Sequence, residues 1–131
     1  MAALVRATLF TDPGCPWAYS ARPAFAKLAW RFGDRIEWRL VMIGLSEDAS
    51  RYEARGYTPA RMAAGWQTFE RRFGMPFARV VKPRLAPTTR ACRAIIAARE
   101  QGAALAEGAL LALQLEFVDG SIQTATFKFT K

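Results

Sequence analysis

The chain has 131 residues, 52% hydrophobic and 23% charged, with two cysteines, no histidine and a formal net charge of +8. This length predicts a single domain that can bury a hydrophobic core without stabilisation by disulfide bonds or bound metal. The absence of histidine excludes a Cys–His or Ser–His catalytic pair, and two distant cysteines alone make no zinc site, so no metal is expected.

The sequence contains no apolar stretch of about 18 residues, so no membrane span is predicted. The apolar run at the N-terminus has no basic flank and is too short for a secretory signal. These features predict a cytoplasmic protein, in which two cysteines argue against a disulfide scaffold.

The first third of the chain alternates strand and helix patterns. The apolar run at 4–10 predicts a strand, which the turn residues at 12–14 end. Apolar residues at three- and four-residue steps predict a helix over 16–32, closed by Gly33, and residues 36–43 predict a second strand. Strand, helix and strand at this spacing predict a βαβ unit with parallel strands, and therefore an α/β domain.

The rest of the chain is mainly helical in pattern. Residues 44–58 predict a polar loop, at whose end Thr58 and the proline after it predict the cap and first turn of a helix over 59–74. Residues 88–102 and 103–118 predict two more helices. The last of these is apolar nearly all round, so we expect it to be largely buried.

Cys15 stands where the first strand gives way to the first helix. Pro16 suits the first helical turn, because its missing N–H costs nothing there. Free N–H groups and aligned peptide dipoles favour an anion, which predicts a nucleophilic thiolate. The alternative is that Cys15 serves only as a small residue in a crowded turn, since free cysteines are usually buried and inert. Trp17, beside a loop, suits a contact surface for a bound peptide or ligand.

The run FTDPGCPWAYSARP resembles the DsbA-like branch of the thioredoxin superfamily. It is most similar to the FrnE-like members, which are related to kappa-class glutathione transferases and 2-hydroxychromene-2-carboxylate isomerases. The family pattern is a strand ending in Asp-Pro, followed by Cys-Pro-Trp-x-Tyr opening a helix; it is matched here by Asp12, Pro13, Cys15, Pro16, Trp17 and Tyr19. The segment PTTRACR adds matches at Thr88, Ala91 and Arg93. The resemblance covers about residues 4–118.

The resemblance implies a thioredoxin-like fold with an inserted helical subdomain. Residues 1–58 would form the βαβ unit with its loop, 59–118 the helical insertion, and 119–131 a tail with one strand at most. In the family a cis-proline strand pair follows the insertion. No proline follows residue 118, so the C-terminal part of the thioredoxin half is expected to be incomplete.

The resemblance also implies thiol–disulfide oxidoreductase activity on a thiol or disulfide substrate protein. Cys15 would be the nucleophile, tuned by Pro16 and flanked by Trp17. Ala18 stands where disulfide-exchanging relatives often carry a second cysteine, so a dithiol cycle within the motif is not expected. A single cysteine can still form a mixed disulfide with glutathione or another thiol.

Four further residues are candidates for substrate binding: Asp12, Tyr19, Trp66 and Arg90. Trp66 belongs to an apolar helical stripe, for which packing into the core is the favoured interpretation and a ligand groove the alternative. Arg90 lies in the basic stretch 71–93. The favoured interpretation of this stretch is a solvated surface, and the alternative is an anion site for a glutathione carboxylate or a phosphate. Nucleic acid is disfavoured because no reading motif accompanies the charge.

Two other functions stay open. One is a glutathione-dependent isomerase or transferase of the same superfamily, with glutathione as the cofactor. The other is a non-enzymatic module that binds a partner or forms a homodimer through a leftover sheet edge or apolar face. Cys92 is expected to pack as a small apolar residue, and the sequence does not decide whether it bridges to Cys15.

Overall fold

A computed structural model describes residues 4–119 of the chain. Within this range one sheet is formed by two parallel strands, β1 (Val5–Thr11) and β2 (Ile36–Met42). The register pairs Val5 with Ile36 and Thr11 with Met42. Both strands lie within one residue of their predicted limits, and the parallel βαβ unit is confirmed.

The connection between the strands contains two helices, α1 (Pro16–Ser20) and α2 (Arg22–Phe32), where the sequence predicts one. The helix is interrupted at Ala21. Pro23 has no N–H to donate to the carbonyl one turn earlier, so the hydrogen-bond ladder cannot run through this point. A single 3-10 turn (Gly33–Arg35) then leads into β2.

The segment predicted as a polar loop, residues 44–58, contains a short helix, α3 (Ser50–Ala54). The side chain of Asp48 explains where this helix forms. Its Oδ1 accepts a hydrogen bond from the backbone amide of Ser50 at 2.8 Å. Such a local contact from Asp to the backbone two residues later favours a turn. The prediction of an irregular loop is therefore wrong for this stretch.

Three longer helices follow: α4 (Pro59–Phe73), α5 (Thr89–Arg99) and α6 (Ala103–Asp119). The predicted cap of α4 is confirmed, because Thr58 Oγ1 accepts from the Arg61 amide at 3.1 Å. Gly74 ends α4 in a left-handed conformation with φ 82°. A side chain at that position would be strained.

Two clusters of buried side chains hold these elements together. The first lies between α5 and α6, and Leu40 and Met42 of β2 pack against it. Its largest members are Ile95, Leu110, Leu113 and Phe117. The second joins α1, α4 and the end of α6, and consists of Tyr19, Trp66, Phe77 and Val118. Together the clusters pack β2 and α1 against the later helices.

Burial of α6 is one-sided within the described residues. Leu110 and Leu113 are buried, but Leu105, Leu111 and Leu115 are 55%, 37% and 46% exposed. The expectation that α6 is largely buried is thus wrong for the surface formed by residues 4–119.

The strand predicted in the tail lies outside the described residues, and the division into 1–58, 59–118 and 119–131 stays a prediction. None of the helices between residues 4 and 119 has the length and apolar character needed to cross a membrane.

Two adjacent leucines of α6 provide a test of this packing. Leu110 is 2% exposed and belongs to the first cluster, whereas Leu111 is 37% exposed. We expect Leu110→Ala to lower the free energy of unfolding by about 2–5 kcal/mol, because it leaves a cavity in a packed core. Leu111→Ala should cost clearly less. Urea titration followed by circular dichroism measures both, and equal losses would contradict the orientation of α6.

Candidate active site around Cys15 and Asp12

Cys15 lies immediately before the first turn of α1, at the N-cap position, with extended backbone angles of φ −82° and ψ 116°. Its amide donates to the carbonyl oxygen of Asp12 at 3.2 Å, and its own carbonyl accepts from the Tyr19 amide at 3.1 Å. Pro16 occupies the first helical position, as predicted. The thiol is free and its residue is partly exposed. The expected placement at the start of a helix is confirmed, although α1 has only five residues.

The turn that presents Cys15 is anchored by the carboxyl group of Asp12, which is completely buried. Oδ1 accepts from the Gly14 amide at 2.8 Å. Oδ2 accepts from the Leu45 amide and from Thr88 Oγ1, each at 2.8 Å, and lies 3.4 Å from Cys92 Sγ. Because all four groups donate, Asp12 serves here as a carboxylate acceptor.

Thr88 links this network to the loop after β2. Its amide donates to the carbonyl of Ser46 at 3.0 Å, and its hydroxyl oxygen also accepts from the Ser46 amide at 3.4 Å. Three separate segments therefore meet at Asp12: the turn after β1, the loop after β2 and the start of α5. As a substrate-binding residue, Asp12 stays a prediction that its complete burial does not support.

Gly14 is required by the close approach of this turn to α5. A Cβ atom at this position would lie 2.5 Å from Thr88 Cγ2 and 3.4 Å from Asp12 Oδ1. The first distance is far below a normal contact, so a side chain would displace Thr88 from Asp12. The sequence motif contains this glycine, but the partner that makes it necessary lies in another part of the chain.

Cys92 is 4% exposed and, like Cys15, is a free thiol, so the two form no bridge in this structure. Burial, reinforced by the adjacent Asp12 carboxylate, raises the pKa of Cys92 to about 12. The thiol therefore stays protonated and donates to Asp12 across the neutral range. The prediction that Cys92 is buried is confirmed.

The side chains of Trp17 and Tyr19, both in α1, lie in different environments. Trp17 is 59% exposed, and its ring lies 4.7 Å from Phe69 and 5.5 Å from Phe73 of α4, measured between centroids. Tyr19 is 2% exposed, and its hydroxyl donates to the carbonyl of Pro76 at 3.0 Å. Trp17 thus provides an accessible aromatic face two residues from the thiol, whereas Tyr19 joins α1 to the loop after α4.

The other two predicted binding residues lie apart from the Asp12 network. Trp66 is 6% exposed and belongs to the second buried cluster, as the favoured core interpretation predicts. Arg90 lies on the exposed side of the first turn of α5. The contacts described between residues 4 and 119 do not join Arg90 to Cys15. Sequence reasoning missed Ser46 and Leu45 as partners of the site, since nothing in their local sequence marks them.

We expect Asp12→Asn and Asp12→Ala to destabilise the protein. Alanine leaves the Gly14 and Leu45 amides without their acceptor, and asparagine turns an N–H₂ group toward donors. Each unsatisfied buried donor costs about 1–3 kcal/mol, so both variants should lose at least about 2 kcal/mol. Asp34→Asn, in the exposed 3-10 turn, is the matched control. Denaturant unfolding measures all three, and a neutral Asp12→Asn would contradict the network.

The raised pKa of Cys92 predicts a specific loss of stability at alkaline pH. The folded-state pKa lies above that of an exposed cysteine, so the folded state binds the proton more tightly. This contribution is complete below about pH 8.5 and is lost as the pH rises toward 12, at up to about 1.4 kcal/mol per pH unit. Cys92→Ser keeps a donor for Asp12 and removes the titration. Unfolding curves between pH 8 and 11 should fall more steeply for the parent chain than for the variant.

No family model matches this sequence, and no curated protein matches it significantly. The structure is similar to the crystal structure of a putative protein disulfide isomerase from Nitrosomonas europaea, with a TM-score of 0.71 and 16% sequence identity. The match covers 92% of this chain and 58% of that one, so this chain spans little more than half the length of its structural neighbour. At this identity the likeness concerns the fold, which is the predicted mixed α/β, thioredoxin-like fold with a helical insertion.

Proposed function

We propose that this protein carries out thiol–disulfide exchange at Cys15, as a DsbA-like oxidoreductase or a close relative. The observation that carries the proposal is the contrast between its two thiols. Cys15 is partly exposed at a helix start on an anchored turn, whereas Cys92 is buried in the network that anchors it. The similarity of fold to a putative protein disulfide isomerase supports the same chemistry.

In the proposed reaction the Cys15 thiolate attacks one sulfur of a substrate disulfide. A bond forms between Cys15 Sγ and that sulfur, the substrate S–S bond breaks, and the other sulfur leaves as a thiolate that takes up a proton. A second thiol then attacks the mixed disulfide and releases Cys15. Both steps exchange one S–S bond for another, so no further oxidant or reductant is needed.

The second thiol has to come from outside the motif. Ala18 occupies the position one helical turn after Cys15, and it has no thiol. Cys92 is buried, with its pKa raised to about 12, so its thiolate is not available at neutral pH. We infer that a substrate thiol or glutathione resolves the mixed disulfide.

The surroundings of Cys15 suit this role. The ring of Pro16 disfavours a helical conformation at the residue before it, so Cys15 keeps the extended backbone with which it precedes α1. Trp17 offers an exposed aromatic face, backed by Phe69 and Phe73, for an apolar side chain next to the substrate disulfide. The exposed ring adds contact area and leaves the sulfur open.

A glutathione-dependent isomerase or transferase is the second candidate. The single cysteine of the motif favours it, because such chemistry needs a bound thiol cofactor and not an internal dithiol. Calorimetry with reduced glutathione separates the two functions: binding retained in Cys15→Ser favours the second. A homodimer and a cytoplasmic location both stay predictions from the sequence.

Thiol labelling tests the central contrast. In the native protein we expect iodoacetamide to modify one thiol, Cys15, and in denaturant to modify two. Cys15→Ser should then show no native labelling and Cys92→Ser one label, as counted by intact mass. Equal labelling of both cysteines in the native protein would contradict the assignment.

Catalysis is tested by disulfide reduction with glutathione as the second thiol. We expect Cys15→Ser to abolish turnover of a mixed-disulfide substrate, because the attacking sulfur is gone. Cys92→Ser is the matched control and should keep most of the activity. Incubation with oxidised glutathione should add one glutathionyl group, on Cys15 only. Activity that survives in Cys15→Ser would overturn the proposed function.

A further inference from the structure

Three aromatic side chains form a patch that reaches the surface two residues from Cys15. Trp17 is 59% exposed, and Phe73, at the end of α4, is 38% exposed. Their ring centroids lie 5.5 Å apart, and the Phe69 ring lies 4.7 Å from that of Trp17. Single apolar side chains are common on protein surfaces, whereas rings packed against one another form a contiguous apolar surface, which is typical of a binding site. We call Trp17, Phe69 and Phe73 the aromatic patch.

Arg72 adds a positive charge at the edge of the aromatic patch. The residue is exposed, and its Cζ lies 5.2 Å from the centroid of the Phe73 ring. No acidic side chain between residues 4 and 119 pairs with this guanidinium. A guanidinium has five N–H donors, and contact with a ring leaves them available to a carboxylate. An apolar contact surface and a cationic donor group therefore lie side by side.

The charges around Arg72 are positive on balance. Residues 71–93 contain seven Lys or Arg and no Asp or Glu. The one acidic residue of α4 is Glu70, whose Oε2 lies 3.5 Å from Nε of Arg79. Because this carboxylate already has a cationic partner, it does not neutralise Arg72. The surroundings of the aromatic patch thus complement an acidic partner.

The dimensions of this surface fit a peptide. The distances from Trp17 to Phe73 and from Phe73 to Arg72 are 5.5 and 5.2 Å. An extended chain advances about 3.3 Å per residue, so the two distances together correspond to about three residues. A peptide bonded to Cys15 can therefore place an apolar side chain on the rings and a carboxylate, one or two residues further on, at Arg72. Glutathione has no apolar side chain to cover the rings.

We propose that the aromatic patch and Arg72 form the recognition surface for the substrate of Cys15. They select polypeptide disulfides in which an apolar side chain and then a carboxylate follow the reacting cysteine. This inference rests on the proposed exchange at Cys15 and adds a substrate class to it. The rings bind the apolar side chain, and Arg72 selects the charge. Since the ion pair is exposed, its effect on the rate is modest.

The test uses the complete chain at pH 7 and the peptide Glu-Glu-Phe-Cys-Phe-Glu-Glu with blocked ends. Its symmetry presents the same groups in either chain direction. The peptide cysteine is joined to thionitrobenzoate as a mixed disulfide. The Cys15 thiolate attacks the peptide sulfur, a bond between the two sulfurs forms, the old S–S bond breaks, and thionitrobenzoate leaves as a coloured thiolate. Absorbance gives the second-order rate constant, and intact mass identifies the adduct.

The peptide series separates charge from apolar contact. We expect the Glu peptide to react about three- to fivefold faster than the same peptide with Gln in place of Glu. It should react at least about fivefold faster than the version with Ala in place of Phe. At about 1 M salt the advantage of Glu should disappear, because exposed charges are screened, while that of Phe remains. Each rate is divided by that of the same peptide with reduced glutathione alone, which removes differences in intrinsic reactivity.

Variants of α4 assign the charge preference. Arg72→Met should remove the preference for Glu over Gln, and Arg72→Glu should make a Lys peptide the faster substrate. Arg71→Met is the matched control, because Arg71 is equally exposed but its Nη2 donates to Thr68 Oγ1 at 3.2 Å. This variant should keep the preference of the parent chain. Circular dichroism checks that each variant is folded.

The outcomes distinguish the recognition surface from the exchange reaction. Equal rates for the Glu, Gln and Lys peptides, with the adduct on Cys15, would overturn the recognition surface and leave the exchange in place. A preference for Glu that survives in folded Arg72→Met would overturn it as well. If no peptide forms an adduct on Cys15, both the exchange and the recognition surface are refuted.

Discussion

The carboxylate of Asp12 is the interaction on which the arrangement around Cys15 depends. It is completely buried and accepts hydrogen bonds from two backbone amides, one hydroxyl and one thiol. A buried charge is tolerated only when it is well hydrogen-bonded, and here four donors surround it. The hydrogen bonds to Asp12 hold the turn between β1 and α1, and this turn positions Cys15.

The same carboxylate gives the two cysteines different properties. Cys92 donates to Asp12, is shielded from solvent and has a pKa raised to about 12. Cys15 is one residue beyond the Asp12-bound Gly14 and is partly exposed. One chain thus contains an accessible thiol and a structural thiol, and the difference comes from position relative to a single acceptor. Cys92 is better understood as a hydrogen-bond donor of the scaffold than as a partner in exchange.

Much of the framework follows from local sequence patterns. The parallel strands, the cap at Thr58 and the position of Cys15 before α1 all match their predictions, because each depends on neighbouring residues. The break at Ala21 was missed because the apolar spacing continues through it, and one proline outweighs that spacing. The short helix α3 was missed because five polar residues have no apolar periodicity to reveal it.

The site itself was predicted only in part. The resemblance identified Cys15 and Trp17, but it also implied substrate binding by Asp12, which complete burial does not support. Its burial depends on Leu45 and Thr88, which are 33 and 76 residues away in the sequence. Local patterns do not report such pairs.

These separations have a consequence for how the protein folds. The hydrogen bond from the Gly14 amide to Asp12 is local, but the bond from Cys92 forms only when that residue, 80 positions later, has been brought back to Asp12. Closing so long a loop is slow compared with forming a helix. During synthesis, the thiol at position 15 therefore emerges well before its supporting turn can be secured, and the nascent chain passes through a period in which the cysteine is present without its scaffold.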